Sequence, residues 1–261
     1  MTFVNDLTVP DGYIAGCDKR ECLLGSEFPV LENSMDLIPR AEWGDLATEY
    51  DGLESLESWT YDQRSEGSCA SNSAAQAMEI AISSALGKER SVRLSAISLY
   101  TRVGRSAGSG SSIPSNISAL AKKGILPLNT AENKKRFNHT HPATGFSARL
   151  PLGWETTAAL FKATEWFDIA SFEGIATALL KGYPVCYGRA GHAITAVKLE
   201  RRGGEWCLKY KNSWGSNWGQ NGHGWDTESF CSRSINSYGA YAVRCTKIDY
   251  ALGDLPQVKE N

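Results

Sequence analysis

No apolar run in the chain approaches the about 18 residues that a membrane-spanning helix needs, so no such span is expected. Charge of one sign is lacking too. The 27 basic and 29 acidic residues leave a net charge of −2, which removes the electrostatic case for nucleic acid or an anionic membrane as partner. There is no internal repeat and no low-complexity tract. The stretch Met1–Arg20 carries Asp6 and Asp11 where a signal peptide would need a greasy core. A non-secreted, cytoplasmic protein with mostly reduced cysteines is therefore expected. Of the seven cysteines, Cys17 and Cys22 are near neighbours, but no second pair stands at metal-ligand spacing. Neither a structural zinc nor any other metal or cofactor is expected.

What is present is an ordinary globular balance, 42% hydrophobic and 21% charged, in 261 residues that can bury one large core or two lobes. The most pointed stretch is Gln63-Arg64-Ser65-Glu66-Gly67-Ser68-Cys69, which leads straight into Ala70–Met78. Ala74, Ala77, Met78, Ala81, Ile82 and Ala85 recur three and four apart, which predicts a helix that starts at Cys69 and stops at Gly87. A cysteine in a first helical turn has unpaired N–H groups and the positive dipole end beside it, both of which favour thiolate. Gln63, six residues upstream, can aim an amide at the same place as an oxyanion donor. A buried structural cysteine beside a surface glutamine is the competing reading of this segment.

Residues 1–37 are loop-rich, with Pro10, Gly12, Gly16, Gly25 and Pro29, and are expected to lie extended over the body or to be partly disordered. The folded unit starts near Ile38. Short helices are predicted over Leu94–Tyr100 and Pro114–Lys123, with a flexible Gly-Ser loop, Ser106–Ser112, between them. After about residue 145 the character changes. Segments 184–188, 192–200, 205–211 and 239–247 are short and rich in Val, Tyr, Trp and Ile, and a helix at Phe172–Lys181 interrupts their series. Helices first and strands second predict an α+β protein of two lobes.

A base for Cys69 has to come from four histidines. His139 and His141 sit in a polar loop, and His223 lies in the glycine-rich Gly222-His223-Gly224. His192 alone opens an apolar strand, Gly191–Val197, and Asn212 in Lys211-Asn212-Ser213-Trp214-Gly215 can hold an imidazole in orientation. Cysteine, histidine, then amide is the order of one known nucleophilic apparatus.

The chain resembles the papain-like cysteine peptidases, the cathepsin family. The stretch Lys211–Gly222 (KNSWGSNWGQNG) is similar to that family's asparagine segment almost residue for residue. Gln63 and Cys69 stand at the family's spacing, and Gly191-His192-Ala193 is similar to its histidine segment. The resemblance covers residues 38–250 and implies a helical lobe (about 38–145) facing an antiparallel, β-barrel-like lobe (about 146–261), with the active-site cleft between them. By resemblance Cys69 is the nucleophile, His192 the base of a thiolate–imidazolium pair, Asn212 its orienting group and Trp214 the shield of their hydrogen bond. Gln63 and the Cys69 N–H would form the oxyanion hole. Gly67, Ser68, Gly108, Gly110, Gly191 and Trp214 would line the substrate site.

Two positions depart from the family: Glu66 stands where it has a disulfide cysteine, and Ala70 where it has tryptophan. Its long inhibitory pro-region is not evident in residues 1–37. The implied activity is hydrolysis of peptide bonds through an acyl-enzyme, by a monomer acting on peptide or protein substrates. A catalytically silent papain-like scaffold, binding or virion-associated, is the alternative. Acyl transfer to an amine would use the same groups.

Overall fold

The computed structural model describes residues 8–20, 28–57, 59–129 and 145–245. Cys22, His139 and His141 lie outside the described residues. Helices α1 (Leu31–Ser34) and α2 (Trp43–Glu49) precede the long α3 (Cys69–Leu86), which ends at Gly87 with φ +94°. Its alanines and serines are small on every side, so α3 is buried throughout Cys69–Ser83 and runs through the middle of the molecule. Against one side pack α4 (Ala96–Val103) and α5 (Ile113–Lys123). Ser95 caps α4 by accepting the Ser98 N–H, and Ser112 caps α5 by accepting that of Ser115. Met78, Ile82, Leu99, Ile113 and Ile117 fill this lobe, each worth roughly 1.5–3 kcal/mol of burial.

Against the other side of α3 lies a six-stranded sheet in the order β1-β6-β2-β3-β4-β5, with every neighbouring pair antiparallel. Its strands are β1 (Glu165–Ile169), β2 (Val185–Arg189), β3 (His192–Arg202), β4 (Glu205–Lys211), β5 (His223–Thr227) and β6 (Ala240–Arg244). The short α6 (Trp154–Ala158) precedes the sheet, while α7 (Phe172–Leu180) and α8 (Glu228–Tyr238) pack on it. The fold is α+β with two lobes, and the sheet is open between its edge strands β1 and β5, not closed into a barrel.

Four of the six strands and the α3, α4, α5 and α7 helices coincide with sequence segments singled out above. β1, β5 and α8 do not: glycines break the pattern before β5, and α8 is a serine-rich helix started by a Thr227 cap. Residues 28–37 are packed into both cores, with Phe28 in one and Leu31 in the other, and Val30 bridges Asp168 of β1. No described helix is long and apolar enough to cross a membrane.

Candidate active site

His192 owes its place to a two-residue hairpin. Ala190 (φ +45°) and Gly191 (φ +81°) join β2 to β3, the positive-φ pair that suits the twist of adjoining strands. Asn212 follows the last residue of β4, the strand paired with β3, so sheet register brings the two side chains together. His192 Nε2 lies 2.7 Å from Asn212 Oδ1, which also accepts the Ser213 N–H at 2.7 Å. An oxygen already accepting one N–H must accept the second, so Nε2 is the donor. The neutral ring therefore carries its lone pair on Nδ1, which has no hydrogen-bond partner among the described residues. The Trp214 ring stacks on the imidazole with centroids 4.3 Å apart and covers this pair.

Cys69 enters from the other lobe. Ser73, one turn along α3, donates its hydroxyl to Ile194 O at 2.8 Å, and Thr195 returns a bond to Ser73 O, so α3 is tied to the His192 strand. Gln63 is held from three sides. Its N–H donates to Ser213 O at 2.8 Å, its Oε1 accepts the Ser213 hydroxyl at 2.6 Å, and its Nε2 donates to Glu66 O. Gln63 is thus tied to Ser213, next to Asn212, and Cys69 lies beside Ala193, next to His192, while no hydrogen bond joins Cys69 to His192 Nδ1 among the described residues. Gly67 and Gly110 stand against each other: a Cβ on Gly67 would come within 2.8 Å of Gly110 N. Ser68 turns inward, its hydroxyl accepting from Asn72 Nδ2.

The cleft is filled by the chain's own residues 13–20. Tyr13 donates to Asp62, and Gln63 Nε2 donates to Ile14 O at 2.9 Å. Ile14 also lies over Gly108. Gly16 accepts the Ser111 N–H, Cys17 donates its N–H to Gly191 O at 2.7 Å, and Asp18 donates to Ser111 O. Backbone N–H groups of Ala193, Gly16, Ala70 and Cys69 itself lie close enough to the Cys69 sulfur to favour its thiolate. Nothing larger than glycine fits at 16, where a Cβ would stand 2.3 Å from Gly67 O.

This covering decides the charge state. Cys69 is 0% and His192 1% exposed. Burial pushes the thiol up to about 11 despite the four N–H groups close to it. Burial also pushes His192 down to about 4, with the Arg189 charge acting the same way and the Asn212 bond opposing. In this covered state loss of water favours the neutral form of both groups, against the thiolate–imidazolium pair expected from the sequence. Helix dipole and imidazole are outweighed by loss of water.

Several solved structures share this arrangement of elements. Xylellain, a cysteine protease from Xylella fastidiosa, superposes with a TM-score of 0.66 at 17% identity over 92% of this chain and 100% of that one. The procathepsin L2 proteinase of the Tenebrio molitor larval midgut gives 0.64 at 18% identity, over 90% and 79%. Procathepsin B S9 from Trypanosoma congolense gives 0.56 at 14%, over 87% and 86%. The fold is papain-like. No protein-family profile matches the sequence, and no curated protein matches it.

Around these residues lie groups that the sequence patterns did not single out. His223 opens β5 and binds Glu57 at 2.8 Å, and Lys211 Nζ lies 3.0 Å from the same carboxylate, directly before Asn212. Arg189, paired with His192 in the hairpin, is fully buried 3.0 Å from Asp226 and donates to the Tyr210 hydroxyl. No spacing rule could find these, because their partners are far apart in the chain.

Proposed function

We propose that the chain is a cysteine peptidase, held shut by its own residues 13–20. The observation that carries this reading is a peptide main chain lying across the two reactive groups. The Gln63 amide holds the carbonyl of Ile14, and two residues on an N–H reaches the Cys69 sulfur. Two of the structures similar in fold are procathepsins by name.

Once the cleft is open to solvent, Cys69 gives its proton to His192 Nδ1, the nitrogen left as acceptor by the Asn212 bond. The thiolate then attacks the carbonyl carbon of a peptide. Gln63 Nε2 and the Cys69 N–H meet the charge that develops on the carbonyl oxygen. The tetrahedral intermediate collapses to a thioester as His192 returns the proton to the departing amine. Water, deprotonated by the same nitrogen, releases the acid and restores the thiol. Asn212 keeps the imidazole in the competent tautomer throughout.

The test uses the full-length Gly16→Ala variant, whose added Cβ cannot coexist with Gly67 O. It should cleave a broad peptide library, lose that activity when Cys69→Ala is added, and slow about a hundredfold with Gln63→Ala. A Gly16→Ala protein whose Cys69 alkylates readily but cleaves nothing would overturn the peptidase reading. The silent peptide-binding scaffold, which the complete burial of Cys69 favours, would then stand in its place.

A further inference from the structure

The segment in the cleft is gripped by more than its main chain. The Cys17 side chain enters a small recess where its sulfur lies 3.4 Å from the position of a Cβ on Gly188. Gly188 has to be glycine there, because that Cβ would also stand 2.2 Å from the Tyr238 Cβ. Cys17 is 7% exposed, so a thiol-sized group already fills the recess. The next side chain, Asp18, is taken in fork geometry by Arg105: Nη1 to Oδ2 at 2.9 Å and Nη2 to Oδ1 at 3.2 Å. Arg105 Nη2 also donates to Ser109 O at 3.1 Å, which fixes the guanidinium plane. Lys19 is exposed. Arg20 reaches the part-buried Asp168 with Nη2 to Oδ2 at 2.9 Å and Nη1 to Oδ1 at 3.4 Å.

The main-chain bonds to Ser111 and Gly191 are blind to sequence, so over residues 17–20 selectivity comes from these three side-chain contacts. They alternate in kind: a recess for a small group, a cation, an unread position, an anion. Two opposite charges set two residues apart discriminate against most peptides, because a wrong sign meets like-charge repulsion as well as a lost pair.

We infer that Arg105 and Asp168 determine which peptides the cleft accepts. Its ligands carry a small uncharged side chain in the Gly188 recess, an acidic side chain beside it against Arg105, and a basic one two residues further on against Asp168. The inference rests on the reading of this cleft as a peptide site, and it deepens that reading by naming the substrate class. Side-chain position carries it, so a peptide running either way along Ser111 is read by the same groups. Arg105 is more exposed than Asp168 (67% against 11%, side chains), so salt weakens its selection more.

The test reads binding, without hydrolysis. Full-length Gly16→Ala/Cys69→Ser is titrated with a fluorescein-labelled peptide of residues 12–20 carrying Cys17→Ser. Alkylation of Cys69 in the Gly16→Ala parent first establishes that its cleft is open. Changing Asp18→Lys in the peptide should weaken binding about tenfold, Arg20→Glu by a similar factor, and Lys19→Ala by less than twofold. Arg105→Glu in the protein should invert the order, so that the peptide with Asp18→Lys binds more tightly than the one that keeps Asp18. Equal binding of all peptides within twofold, or no binding to the open variant, overturns the inference. Should Gly16→Ala stay closed, the native chain decides. Asp18→Lys and Arg105→Glu should each speed Cys69 alkylation, and their combination should restore protection; an unrestored double variant overturns the inference. Acid-selective binding without cleavage of any peptide would sink the peptidase reading alone. Cleavage without charge preference would sink this one alone.

Discussion

Residues 13–20 and residues 28–34 belong to the same loop-rich leader, yet they are attached in different ways. The first stretch adheres through main-chain bonds, two ion pairs near the surface and one small recess. The second contributes Phe28 and Leu31 to the cores, with Leu31 fully buried among Trp43, Phe172 and Leu179. Exposed ion pairs and hydrogen bonds exchange readily with water and are worth little net. Buried apolar side chains have no such exchange. The leader thus has a stretch held mainly by polar contacts, with Cys17 alone in a core, and a stretch packed by large apolar side chains, and Gly16, beside Cys69, lies in the first.

The contrast is broken most directly at its strong end. Leu31→Ala should cost about 2–5 kcal/mol of global stability, read from the midpoint of urea unfolding. A loss below about 1 kcal/mol would mean that residues 28–34 are as removable as residues 13–20. At the weak end, Gly16→Ala should raise the rate of Cys69 alkylation at pH 7 by about a hundredfold, or about 2.7 kcal/mol in the closing equilibrium. The urea midpoint should barely move. A cooperative loss of the whole fold would erase the distinction.

Acid should loosen the first stretch without touching the second. His192 is held neutral when covered, at about 4 against an ordinary 6.5. A basic group whose value is depressed in the closed form binds fewer protons there than when open, so closure weakens as pH falls from about 6.5 towards 4. The open fraction gains at most about tenfold per pH unit while the thiolate fraction of an ordinary thiol loses as much, so Cys69 labelling in the native chain should stay about level across that window, where an ordinary thiol labels about tenfold more slowly per unit of acid. A rate that falls with pH throughout would refute the coupling. The smallest effect expected is that of Asp18→Asn. Losing one partly exposed ion pair should speed labelling about two- to fivefold at low salt, with little effect in about 0.5 M salt.

Much of this was written in local pattern. The three- and four-residue spacing from Ala74 to Ala85, the Gly87 stop and the Ser95 and Ser112 caps place α3, α4 and α5 without any partner, because helices are set by near neighbours. The order Gln63, Cys69, His192, Asn212 and the stretch Lys211–Gly222 point to the candidate site through their resemblance to the papain-like peptidases. Tertiary structure alone decided the rest. Nothing in Tyr13–Arg20 announces that it lies between Gln63 and Ser111, because its grip is main-chain bonding, steric fit at Gly16 and ion pairs to residues far along the chain, which leave no periodicity. Nor could the sequence say that burial disfavours the charged forms of Cys69 and His192. Helix dipole and residue type argue for the ion pair, and only the exclusion of water by a distant segment reverses them, through a desolvation cost that exists only when the chain is folded.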